Sequence, residues 1–461
     1  MEYRYDAIEN MPPPLRKVPD YEALADKFSA YVFDPKSGIE HKDEAGNAFF
    51  AAFSEGKSRE MVTWGLIAVG EALRPTGKWG DKGKTFDVFY NPNTRVYTNT
   101  PGGIRTEYWY MLYVHTLAGA IYRTHFADCG RYKERMLTVA HSIREMARGI
   151  NYDFNDQGFN FELNKPWTNK DIYRQPDSIG GYAYNMLFAG IHGKDDSLIK
   201  EAVDALNRYA AFTENPWYEI PNGSTAVLAA AWLKKQGYNV DLKKILGFVF
   251  DPEKGPLQVG NWNGEPVDGL MMGWRGNDRA SAASSAYSME TLMPLPVLLP
   301  AVRYAPEIAK SVAWYALQAA ANFDLFNARG LRGPIPETRP DLSAAIPYER
   351  LVRERDGRSP LACGDFEGHR SVYGGGYIPW IAAIMRPTGV EHMPAWDISL
   401  TDWLTESSNP EFLLYNRSNE EKTAKFTPAA VWKEKRPDIT GEEICVTVPA
   451  GEVKMIKLYE W

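Results

Sequence analysis

Apolar residues recur at helical spacing along the chain up to about residue 390. REMVTWGLIAVGEALR from Arg59, EYWYMLYVHTLAGAIYR from Glu107 and YKERMLTVAHSIREMARGI from Tyr132 each repeat on a period near 3.6. The same period continues in SIGGYAYNMLFAGIHG from Ser178, DSLIKEAVDALNRYAAF from Asp196, GSTAVLAAAWLKKQG from Gly223 and PEIAKSVAWYALQAAANF from Pro306. YEALADKFSAYVF from Tyr21 predicts one more helix before them. Ser and Asp stand where N-caps belong, and Gly193 and Gly237 stand where helices should end.

Several of these helices carry Ala and Gly on more than one face, which predicts tight packing against neighbours on both sides. Connections are of two kinds: short ones such as GKDD at Gly193, and long aromatic ones such as Asn151–Asp177 and Phe250–Asp278. Helical hairpins whose long loops gather at one end make an (α/α) toroid with a functional face at that end. From residue 394 the pattern changes to alternation in EFLLYNRS, EEICVTVPA and VKMIKLYEW, with turn signals between them. The expected organisation is therefore a mainly α catalytic toroid over residues 1–393 and a small antiparallel, sandwich-like β domain over 394–461.

Composition narrows the partners. A net charge of −7 over 461 residues is too mild for a nucleic-acid or membrane surface. The 13% aromatic content, with 14 Trp and 26 Tyr, exceeds what a core needs and predicts rings facing a cleft. Three scattered cysteines make neither a disulfide framework nor a metal site. No H-E-x-x-H, P-loop or nucleotide-binding glycine fingerprint occurs, so no cofactor is expected. The start shows no basic region followed by an apolar run, and no stretch reaches transmembrane length, which predicts a cytoplasmic protein acting on imported oligosaccharides.

Candidate chemistry concentrates in the long loops. Asn151–Tyr184 interleaves Asp156, Asp171 and Asp177 with Trp167, Tyr173 and the neighbouring Arg174. Rings stack on the apolar faces of a sugar while carboxylates bind hydroxyls and move protons. Asp171 is the stronger catalytic candidate, because Asp177 stands in ordinary capping position. Glu219 sits beside Trp217 and Tyr218, where desolvation would raise its pKa and suit a general acid. Gly260–Arg279 offers Trp262, Trp274 and Arg275 for binding. CGDFEGHRSVYGGGYIPW adds Asp365, Glu367, His369, Arg370 and Tyr373. His115, His125, His141 and His192 lack ligand spacing and read as core or surface residues.

The succession of helix pairs ending in alternating strands resembles the six-hairpin glycosidase superfamily, whose (α/α)6 barrels carry glycoside hydrolases and polysaccharide lyases. Asp156-Gln157-Gly158-Phe159 is similar to the D-x-G-F motif of unsaturated glucuronyl hydrolases, and Trp167 with Asp171-Ile172-Tyr173 is similar to the run bearing their acid/base aspartate. The two aspartates share one loop here, whereas that family places them on different hairpins. The resemblance implies cleavage of a glycosidic bond in an oligosaccharide, one containing a uronic acid among the options, by carboxylate acid/base hydrolysis; its motifs fall on Asp156 and Asp171, and Glu219 and Asp365 join them as catalytic candidates from their own surroundings. A lyase using His369, Tyr373 and Arg370, a sugar isomerase or epimerase, and a non-catalytic carbohydrate binder are the alternatives.

Overall fold

The chain alternates between outer and inner positions of a closed helical ring. The structure is a computed structural model describing residues 3–458 apart from 55, 263, 276–284, 328–344, 354–360, 364–369, 434 and 440. Outer α1 (Tyr21–Val32) precedes inner α2 (Met61–Leu73), and a 3-10 segment, Gly80–Phe89, takes the next outer place. Then come inner α3 (Tyr108–His125), outer α4 (Gly130–Gly149), inner α5 (Ser178–Gly193) and outer α6 (Asp196–Ala210). Inner α7 (Ile220–Lys235) and outer α8 (Leu242–Val249) follow. The fifth inner place holds α9 (Ser288–Leu292) with α10 (Leu295–Ala301), backed by outer α11 (Ala309–Asn322). The sixth holds α12 (Val372–Gly375) with α13 (Ile378–Ile384), and α13 packs on α10, α1 and α2, closing the ring. This is an (α/α)6 barrel.

The sequence encodes the two layers differently. Outer α6 buries one stripe, Leu198, Ala202, Ala205, Leu206 and Tyr209, whereas inner α5 is buried at every position from Ser178 to Gly190. Inner helices pack on both sides, so small residues set the spacing. A Cβ added at Gly180 would lie 2.9 Å from the Ala226 Cβ and 3.0 Å from the Asn222 carbonyl on α7. The middle of the ring is filled: Tyr113 and Tyr377 meet phenol to phenol, and only about 20 Å3 of void remains beside Tyr184, Thr225 and Trp380.

Two three-stranded antiparallel sheets stand on the ring. Arg105–Glu107 pairs with Gly158–Asn160, which pairs with Lys165–Trp167. Ser285–Tyr287 pairs with Arg350–Arg353, which pairs with Leu361–Cys363. The first strand of each runs straight into an inner helix, α3 or α9, so both sheets mark the end where those helices begin. The long loop expected over Asn151–Asp177 carries two of these strands and a 3-10 turn, Asp171–Tyr173, between irregular stretches. At the C-terminal end, Met385–Arg386, Ala395–Asp397, Glu411–Tyr415 and Val453–Lys457 form a four-stranded sheet, and Lys422–Phe426 pairs with Ile444–Val448. Phe412, Leu414, Phe426 and Val448 form a separate small core between these sheets. Arg303 ties them to the ring through Glu411 at 2.9 Å and through Asp402.

Gly180→Ala is expected to lower stability by about 1–3 kcal/mol in denaturant unfolding, because overpacking against the Asn222 backbone outweighs the gain in helix propensity. Combined with Ala226→Gly, the loss should be smaller than the sum of the two single losses.

Candidate active site at the helix N-termini

Three inner helices begin with a residue type that caps helices badly. Glu60, Glu107 and Glu219 occupy the N-cap positions of α2, α3 and α7 in extended conformation, and none bonds its own helix. Ser, Thr, Asp and Asn are the residues that cap. Their orphan N–H groups are served from neighbouring loops instead. Asn99 accepts from Val62 N at 3.1 Å, and Gln175 accepts from Trp109 N at 2.8 Å. Asp177 accepts from Tyr218 N at 2.8 Å and from Glu219 N at 3.1 Å.

Freed from capping, Glu60 and Glu219 face a cavity of about 210 Å3 shared with Glu290 and Glu349. Trp109, Tyr110, Trp274, Tyr287 and Tyr373 supply its rings. The cavity therefore draws on the first turns of α2, α3, α7, α9 and α12, and Asp177 ties the start of α5 to it. Gly374 permits the close approach of α12 to α9, since a Cβ there would meet the Ser288 Oγ at 1.9 Å.

Burial sets the proton affinities. It pushes Glu60 above the ordinary carboxylate range, against a hydrogen bond from Asn99, and raises Glu107 against those from Gln157 and Gln175. Tyr110 and Tyr373 face one another and burial holds both phenols protonated. Asp177 is pushed up to about 7 by complete burial, which outweighs the two peptide N–H bonds, Asn222 and the charge of Arg275.

A cleft of about 640 Å3 between Lys17–Glu22 and Met385–Pro394 is larger but holds less chemistry. Its Glu22 is engaged by Arg74 and Arg386, and its Asp20 caps α1. Carboxylates and rings converge in the smaller cavity, which is the better candidate.

No family model matches the chain, and no curated protein matches it. Among solved structures, a sugar epimerase from a ruminal bacterium aligns over 78% of this chain and 98% of its own, at 9% identity and TM-score 0.46. Cellobiose 2-epimerase from Spirochaeta thermophila aligns over 78% and 96%, at 11% identity and TM-score 0.45. A D-mannose isomerase aligns over 82% and 90%, at 12% identity and TM-score 0.34. Scores at this level decide nothing about chemistry, which rests on the cavity.

Of the residues singled out from the sequence, Glu219, Tyr373 and Trp274 line the cavity. Tyr173 stacks on Trp274 with centroids 5.4 Å apart, extending the aromatic wall outward. Asp171 does not reach it: its side chain is 90% exposed and pairs with Arg174 at 3.1 Å. Asp156 accepts from Thr168 at 2.6 Å and pairs with Arg174, so all three hold the loop's own shape. Trp167 lies under the Arg105 guanidinium, 3.8 Å from its ring centroid. Trp217 and Trp262 are buried away from the lining, and Arg275 bonds the Tyr218 carbonyl through its backbone. Arg370 is buried over the Tyr348 ring and donates to the Ile346 carbonyl, which turns it from the cavity. Asp365, Glu367 and His369 lie outside the described residues. Asp177, read as the cap of its own helix, instead serves the start of α7 and has a raised pKa.

Sequence reasoning missed Glu60, Trp109, Tyr110, Glu290 and Glu349. A glutamate directly before an apolar helical run, at Glu60, Glu107 and Glu219, was the available signal.

Asp177 makes stability pH-dependent in a definite sense. Its pKa is near 3.9 unfolded and about 7 folded, so its contribution is full below pH 4 and is lost as pH rises through 7. The stability of the wild type relative to Asp177→Asn should therefore decline from pH 5 to pH 8, with a slope of up to about 1.4 kcal/mol per pH unit below pH 7. Denaturant titrations of both proteins across that range check it.

Proposed function

We propose that the protein is a carbohydrate-active enzyme that carries out acid/base chemistry on a sugar held in the cavity at the inner-helix N-termini. The observation that carries this is the meeting of four carboxylates with two indoles and three phenols in about 210 Å3. Indoles stack on pyranose faces, while carboxyl groups in different surroundings divide the roles of proton donor and base. Glu60, whose proton affinity burial raises, is the proton donor, and Glu219 or Glu290 is the base. A cavity of this size, below the roughly 300–1,000 Å3 of a drug-sized ligand's pocket, encloses one sugar unit and leaves the rest of an oligosaccharide at the Tyr173–Trp274 wall. Four carboxylates disfavour a uronic acid, so the substrate is an uncharged sugar. Glycosidic bond hydrolysis uses this equipment most directly.

A second reading, epimerisation or isomerisation next to a reducing end, is the chemistry named for the structural neighbours. The facing Tyr110 and Tyr373 favour it here, since they give the cavity a second proton carrier. No histidine lines the cavity among the described residues.

Incubation with neutral and acidic oligosaccharides should release reducing ends from neutral ones. In D2O, deuterium incorporation at C2 without cleavage would instead establish the second reading, and absorbance at 232 nm would establish elimination. Glu219→Gln and Glu60→Gln should each lower kcat by about 10²–10⁴-fold, whereas Asp171→Asn should leave turnover unchanged. Loss of turnover in Asp171→Asn with full activity in Glu219→Gln would remove the chemistry from this cavity.

A further inference from the structure

We infer that Asp177 is a positioning residue for Glu219, clamping the peptide from which that side chain enters the cavity. The inference rests on the reading of Glu219 as a reacting group.

Asp177 stands at the N-cap of α5 yet makes no side-chain bond to α5. One of its oxygens receives both Tyr218 N at 2.8 Å and Glu219 N at 3.1 Å, and the other lies 3.4 Å from Asn222 Nδ2. Two consecutive N–H groups converging on one atom fix the orientation of the peptide plane between them. Tyr218 packs on Trp274 with centroids 6.2 Å apart, and Trp274 and Glu219 both line the cavity. The clamp therefore sets a carboxylate and a ring of the same wall.

The anchor is rigid. Asp177 and Gln175 are fully buried, and Gln175 accepts from Trp109 N while donating to Glu107 at 2.9 Å. Three residues, Gln175 to Asp177, thus hold the starts of α3 and α7 in register across the cavity. Arg275, Tyr209, Tyr218, Asn222 and Ser178 surround the Asp177 carboxyl.

An amide at this position retains one oxygen able to accept both N–H groups, whereas alanine retains none. That difference separates positioning from charge. In the full chain, Asp177→Ala should accelerate hydrogen exchange in peptides spanning Trp217–Asn222 at least tenfold, and Asp177→Asn should leave it at the wild-type rate. On a substrate turned over by the wild type, Asp177→Ala should lower kcat about 100-fold with KM little changed, as misplacement by about 1 Å does. Asp177→Asn should recover kcat to near the wild-type value with an unshifted pH profile. Wild-type exchange in Asp177→Ala would overturn the clamp. So would an asparagine variant as slow as alanine with a displaced pH limb, or an unchanged kcat per folded molecule in Asp177→Ala. Failure of the wild type on every sugar would count against the functional reading, while the exchange comparison would still decide the clamp.

Discussion

Helix ends cannot be buried without partners for their first N–H groups, and this barrel places the starts of its inner helices around one cavity. Water does not serve these groups in a packed interior, so side chains must. For three of them they come from adjacent hairpins: Asn99 serves α2, Gln175 serves α3 and Asp177 serves α7. Each long loop is thereby locked to a helix it does not precede. The same bonds that satisfy the backbone join neighbouring hairpins into one rim, and they release the N-cap glutamates for other work.

That arrangement explains which parts of the site were legible in the sequence. The layers were legible because burial on all sides leaves a different pattern from burial on one: α5 and α7 read as apolar all round, and α6 as a stripe. The helix predicted from Tyr21 begins there, and the one predicted from Asp196 begins at Asp196. Of the segments read as acids among rings, those holding Glu219, Trp274 and Tyr373 reach the cavity, while Asn151–Tyr184 lines none of it. Which acid enters the cavity was not legible. Asp171 and Asp156 share their loop with Tyr173, but Arg174 sits between them and takes both charges to the outside. Glu60 and Glu290 were hidden for the opposite reason, since the first turn of an apolar helix looks like core in one dimension. Cross-hairpin capping, a contact between residues about forty apart in the case of Asp177 and Glu219, leaves no periodic trace at all.

Charge in the cavity follows from the same geometry. Four carboxyl groups line one small space. The long inner helices α2, α3 and α7 point their N-terminal ends at it, and each contributes roughly half a positive charge, about +1.5 together. Burial opposes the charged form of each carboxyl group while the N-terminal ends favour it. At Glu60 burial prevails over the hydrogen bond from Asn99 and raises the proton affinity. A raised proton affinity at Glu60 is therefore a consequence of placing a glutamate at a buried helix start.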